Sequence, residues 1–115
     1  MKQNTIALVY DFDGTLTPKT MQEYTIIPRL KLNSNKFWAD ILNEANATDG
    51  EIMMIYMRQL ISHAESLGIK ITKDEFTFMA DKIKYFRGVK DWFKNINDYI
   101  KKNHKNIKVT HYVIS

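Results

Sequence analysis

The chain has 115 residues, 44% of them hydrophobic and 26% charged, with two prolines, no cysteine and a net charge of +4. That composition excludes a disordered polymer, a disulfide framework and a thiolate metal site, and it suffices for one domain or for part of a larger one. Much of the basic excess lies late, between Lys82 and Lys108, where it fills the polar sides of amphipathic patterns rather than a basic face interleaved with aromatics, so no nucleic-acid partner is expected.

Ile6-Ala7-Leu8-Val9-Tyr10 reads as a buried strand over residues 5–11, closed by Asp11. From about 20 to 85 the pattern is helical. Met21 to Leu32 is interrupted by Pro28, which predicts a short or kinked helix. Asn33-Ser34-Asn35 reads as a loop, and Phe37, Trp38, Ile41, Leu42 and Ala45 follow at helical spacing. Thr48 to Glu51 has the form of a capping box, opening a helix with Met53, Met57, Leu60, Ala64 and Leu67 on its buried face. Gly68 suits its C-terminal cap. Thr72 to Glu75 has the same form and opens a helix burying Phe76, Met79, Ile83 and Phe86.

The clearest amphipathic helix covers 89–104, with Val89, Trp92, Phe93, Ile96, Tyr99 and Ile100 on one face and Lys101, Lys102 and His104 at its end. Residues 107–114 read as a second strand, nearly continuous in apolar and aromatic residues towards its end, as in a buried parallel strand. The order strand, helical insert, helix, strand is that of a parallel crossover. It predicts an α/β fold in which 1–17 and 87–115 form a core of two parallel strands and a crossover helix. Residues 18–86 form an inserted all-helical cap.

The chemistry-bearing stretch is Asp11-Phe12-Asp13-Gly14-Thr15-Leu16-Thr17. Residues two apart on an extended chain share a side, so Asp11 and Asp13 would project together from the C-terminal end of the first strand. Ligands of open parallel α/β sheets bind at that end. Two carboxylates there repel unless a cation or a shared proton intervenes. Asp-x-Asp-Gly alone is also an ordinary solvated turn. The full heptad after a buried strand is more specific, and it resembles the first motif of the haloacid dehalogenase superfamily of hydrolases. Met21-Gln22-Glu23-Tyr24, Arg87-Gly88-Val89-Lys90-Asp91-Trp92-Phe93 and His111-Tyr112-Val113-Ile114-Ser115 are similar in spacing to its phosphoserine-phosphatase-like branch.

The resemblance implies a Rossmann-like core carrying a helical cap, and Mg²⁺-dependent hydrolysis of a small phosphate monoester through an aspartyl-phosphate. It casts Asp11 as nucleophile and Asp13 as the acid and base. Gly14, Thr15 and Ser115 would bind the phosphate. Mg²⁺ would be held by the carboxylate of Asp11 and the backbone carbonyl of Asp13. An acid at position 13 is what separates phosphatases in that superfamily from its cation pumps and dehalogenases. The superfamily's later motifs, a Lys and an acidic metal-binding pair, follow the second motif, so the chain resembles the N-terminal part only. Little turnover is then expected of it.

An alternative is a non-catalytic module that keeps the first motif and self-associates through uncovered sheet edges. No stretch approaches a membrane span, the first apolar run is no signal peptide, and a cytoplasmic protein is expected. His63, His104 and His111 lack metal-ligand spacing and read as surface or packing residues. Glu23 and Arg58 read as helix-surface charges, and Trp38 and Trp92 as core anchors.

Overall fold

The computed structural model describes residues 4–115. The chain forms two compact units, one from the residues up to Thr20 together with Lys84–Ser115, the other Met21–Ile83. The first unit is mixed α/β. Strand β1 (Thr5–Asp11) pairs in parallel with β2 (Lys108–Ile114), from Thr5 opposite Lys108 to Asp11 opposite Ile114. Helix α6 (Val89–Asn103) precedes β2 and packs on one face of this pair through Tyr10, Phe93 and His111.

Period-two alternation puts Leu8, Tyr10, Val109, His111 and Val113 on the α6 face, and Ala7, Val9, Tyr112 and Ile114 on the other. The prediction of buried strands fails here. Val9, Tyr112 and Ile114 are more than half exposed, and so is Val113. A buried parallel strand needs cover on both faces, and one 15-residue helix lies along this sheet. Helix α6 keeps its predicted span but buries no residue fully. Val89, Phe93, Ile96 and Ile100 are half-buried, whereas Trp92 and Tyr99 are exposed. Trp92 is therefore no core anchor.

The second unit is all-helical. Two single turns, α1 (Met21–Tyr24) and α2 (Ile26–Arg29), replace the kinked helix, with Pro28 inside the second. Helices α3 (Ser34–Thr48), α4 (Ile52–Ser66) and α5 (Lys73–Ala80) follow. Ile26, Ile27, Leu30, Phe37, Ile41 and Leu60 are among the residues of its core, with Trp38 and Tyr56 packed against them. Trp38 stacks on Tyr56 with ring centroids 5.3 Å apart.

Thr48 does not cap α4. It is the last residue of α3, and its hydroxyl donates to the Glu44 carbonyl at 2.7 Å. Asp49 ends α3 in the left-handed region at φ 52°, and Glu51 is the N-cap of α4 without a side-chain bond. The capping-box pattern was satisfied in sequence, but α3 ran on through it. The register of α4 shifts accordingly. Ile55, Leu60 and Ala64 are buried, while Met53, Met57 and Leu67 are exposed. On α5, Thr72 caps as predicted, accepting from Glu75 N–H at 3.3 Å, and Met79 is buried, but Phe76 is exposed. Phe86, beyond the helix, is exposed too.

Side-chain pairs tie these helices together. Arg29 of α2 makes two hydrogen bonds to Glu75 of α5, at 3.1 and 3.3 Å. Hydrogen bonding to the guanidinium holds the Glu75 carboxyl below the usual carboxylate range. Arg58 of α4 pairs with Glu44 of α3, which also accepts from Gln59 at 2.8 Å. Glu23 accepts from Ser34 at 3.0 Å. Asn33 opens α3, its side chain accepting from Lys36 N–H at 3.0 Å. Asn33→Ala should destabilise the helical unit by about 1 kcal/mol. The check is the urea midpoint of helix loss by circular dichroism, and an unchanged midpoint would show the cap to be idle.

Candidate active site

The loop after β1 folds around one backbone oxygen. Phe12 C=O accepts from the N–H groups of Thr15, Leu16 and Thr17 at 3.3, 3.0 and 3.4 Å. This closure turns the chain sharply, and Gly14 sits inside it at φ 77°. A side chain at position 14 would meet no neighbour within 4 Å. The restriction there is the backbone itself, since L-residues other than Gly enter the left-handed region at a cost. Gly14→Ala should therefore cost about 1–2 kcal/mol, read as faster hydrogen exchange of the β1 amides. Exchange rates matching the parent protein would contradict it.

Two contacts fix the loop from outside. Thr17, fully buried, donates its hydroxyl to the Lys19 carbonyl at 2.7 Å and forms a parallel bridge with Asp13. Leu16 C=O accepts from Phe86 N–H at 3.0 Å, tethering the loop to the segment that leads into α6. Phe12 meets Tyr85 edge-on at 6.1 Å. Neither Thr17 nor Phe86 carries a sequence signal for these roles. A threonine after a leucine says nothing about its burial, and Phe86 acts through its backbone.

Asp11 is the last residue of β1 and is exposed, one carboxylate oxygen accepting from Phe12 N–H at 2.9 Å. Asp13 is half-buried inside the turn. Asp13 lies just beyond the end of β1, in the bridge with Thr17. Gly14 and Thr15 are exposed on the loop. Ser115 follows Ile114, the register partner of Asp11, so it lies at the same end of the sheet as the loop and is exposed. The topology thus brings all five candidate residues to the C-terminal end of the two strands.

Beside the loop is a cavity of about 280 Å³, bordered by Tyr10, Thr15, Arg87, Gly88 and Trp92. Arg87 stands two residues before the start of α6, whose N-terminal amides, behind Gly88, have no side-chain cap. Its place at this cavity, next to Thr15, was not foreseen from sequence.

Among the described residues, no group of three or more His, Cys, Asp or Glu could hold a metal ion. Mg²⁺ seldom needs such a cage. It keeps several waters and is commonly held by one or two carboxylates plus substrate phosphate. The exposed Asp11 carboxylate and the Asp13 backbone oxygen are hard donors of that kind, so the residues present fit Mg²⁺ held jointly with water and phosphate.

Comparison with known protein families, curated proteins and solved structures found no match. The chemistry available is that of the loop's own groups: an exposed carboxylate at a strand end, a second acid two residues on, and a backbone turn pinned on both sides. His63 packs near Phe37, His104 near Tyr99, and His111 lies under α6. Glu23 and Arg58 are engaged in side-chain pairs. No helix among the described residues is long and apolar enough to cross a membrane.

Proposed function

We propose that the chain carries the nucleophile site of a Mg²⁺-dependent phosphohydrolase of the haloacid dehalogenase type, acting on a small phosphate monoester. What carries this reading is the position of Asp11: a solvent-reachable carboxylate at the C-terminal end of a parallel strand, at the mouth of a turn pinned by Phe12, Thr17 and Phe86. The sequence of that turn and the helical unit interposed between β1 and α6 support it further.

The steps follow from the groups present. An Asp11 carboxylate oxygen attacks phosphorus, and the bond from phosphorus to the ester oxygen breaks. Asp13, protonated at this stage, gives its proton to the departing oxygen. Asp13 then takes a proton from water as that water attacks phosphorus, and the bond to Asp11 breaks, releasing inorganic phosphate and the free carboxylate. Bound Mg²⁺ would supply electrostatic relief between the carboxylate and the phosphoryl oxygens. Thr15 and Ser115 would hydrogen-bond those oxygens.

The test need not depend on turnover. Beryllium fluoride adds to a carboxylate as a mimic of its phosphorylated form. Fluorine NMR of the chain with beryllium fluoride should show a bound signal that requires Mg²⁺. A spectrum of free fluoroberyllates alone, at saturating Mg²⁺, would overturn the reading.

The second reading, a self-associating module, draws on the exposed side chains of Val9, Tyr112 and Ile114 on the sheet face away from α6. Light scattering behind size exclusion separates the two readings. A monomer that captures beryllium fluoride favours the hydrolase, and an oligomer that does not favours the module.

A further inference from the structure

The cavity beside the loop has apolar walls and two polar groups without partners. Leu16 C=O accepts from Phe86 N–H at 3.0 Å, and this bond brings together the segments that carry Thr15, just before Leu16, and Arg87, just after Phe86. Phe86 C=O in turn accepts from Val89 N–H at 3.2 Å. Arg87 and Gly88 are thus the central residues of a β-turn, with Gly88 at φ 90°. Thr15 and Arg87 both border the cavity of about 280 Å³. Among the described residues, neither the Thr15 hydroxyl nor the Arg87 guanidinium makes a hydrogen bond or an ion pair. No carboxylate among those residues borders the cavity, so the charge of Arg87 has no counter-charge there.

The remaining walls offer carbon surface. Trp92 Nε1–H donates to Tyr10 Oη at 2.9 Å, and the same Oη lies 2.9 Å from His111 Nδ1. The polar atoms of both aromatic walls are therefore occupied, and Leu16 and Val89 add aliphatic surface. Trp92 is 46% exposed although it lies on the apolar stripe of α6.

We propose that this cavity binds a small aromatic carboxylate, its ring against Tyr10 and Trp92 and its carboxylate on Arg87 and Thr15. Apolar walls do not replace the hydration of a bare ion, so the ligand needs an apolar body. An unpaired guanidinium beside those walls asks for an anion, and its planar fork matches the two oxygens of a carboxylate. One guanidinium also balances the single charge of a carboxylate. A phosphate monoester carries close to two charges, and no second cation among the described residues borders the cavity. The volume is near the lower end for ligand pockets and suits one ring. The site goes beyond the hydrolase reading, since neither Asp11 nor Asp13 borders it and it requires no reaction.

Benzoate is the probe. Titrated into the full chain at constant ionic strength, it should shift the Trp92 indole N–H and Thr15 amide signals saturably in proton–nitrogen NMR. A dissociation constant on the order of 1 mM is expected for so small a ligand. The Trp38 indole signal, from the helical unit, should not move. Benzamide keeps the ring without the charge, and acetate keeps the charge without the ring. Each should bind about tenfold more weakly than benzoate. Arg87→Gln should lower benzoate to the level of benzamide. Absence of a saturable shift with benzoate, acetate binding as well as benzoate, benzamide binding as well as benzoate, or undiminished benzoate binding by the Arg87→Gln protein would each overturn the site. The first three outcomes are read on the unmodified chain, so the test does not depend on the folding of a variant.

Discussion

Asp11→Asn should abolish phosphoryl capture altogether, whereas Asp13→Asn should trap it. The two acids lie two residues apart but have different tasks in the proposed reaction, and the substitutions separate them. An asparagine at 11 keeps the size of the side chain and can still accept from Phe12 N–H, the bond seen at 2.9 Å. What it lacks is the anionic oxygen that attacks phosphorus. The bound beryllium fluoride signal should vanish, and incubation with Mg²⁺ and an aryl phosphate should leave no phosphorylated protein by mass spectrometry. Asparagine at 13 removes the proton carrier and leaves the nucleophile. An aryl leaving group departs with little need of an acid, so capture should persist. Hydrolysis of the captured phosphate should slow by about 10²–10⁴-fold, the usual contribution of a positioned acid–base group. The Asp13→Asn protein should thus accumulate the adduct that the parent chain turns over. Equal capture by the Asp11→Asn protein and the parent would remove Asp11 from the mechanism. Equal hydrolysis by the Asp13→Asn protein and the parent would remove Asp13.

The local elements were legible in the sequence, and their burial was less so. β1 ends at Asp11 and α6 starts at Val89 as the pattern predicts, because a short apolar run and a strong 3.6-residue period are local signals. Thr48 shows the limit of local reasoning. Its spacing to Glu51 fits a capping box, yet α3 continues through Thr48 and stops at Asp49 in a left-handed conformation. Which helix owns a boundary residue depends on competing packing, and a four-residue motif does not contain that. Burial is a property of neighbours, not of the residue. Tyr112 and Ile114 read as core because their side chains are apolar, but one helix covers one face of the β1–β2 pair, and they point from the other. At the site, the heptad drew attention to its two acids and to Gly14. The atoms that hold the loop are the Phe12 carbonyl, the Thr17 hydroxyl and the Phe86 amide, of which two are backbone and invisible to any residue pattern.

Ile41→Ala should cost the helical unit about 2–5 kcal/mol, while Leu42→Ala, one residue on, should stay within about 0.5 kcal/mol of the parent. Both residues fall on the apolar positions of α3, and sequence alone gives no reason to rank them. In the folded unit Ile41 is 0% exposed and Leu42 is 49% exposed. Truncating Ile41 removes apolar contacts with no solvent to refill them, and the cavity term adds to the transfer term. Its surroundings include Phe37 and Ala45 on the same helix face, one turn either side. Leu42 already spends half its surface in water, so shortening it forfeits little burial, and alanine's higher helix propensity offsets part of that. Urea unfolding of each variant, followed by helix circular dichroism, gives the comparison, with the midpoint shift converted through the common slope. The destabilisation should fall on Ile41 alone. Losses of similar size at both positions would mean that Leu42 is covered in solution, and that the apolar surface of α3 is an interface rather than a bare face.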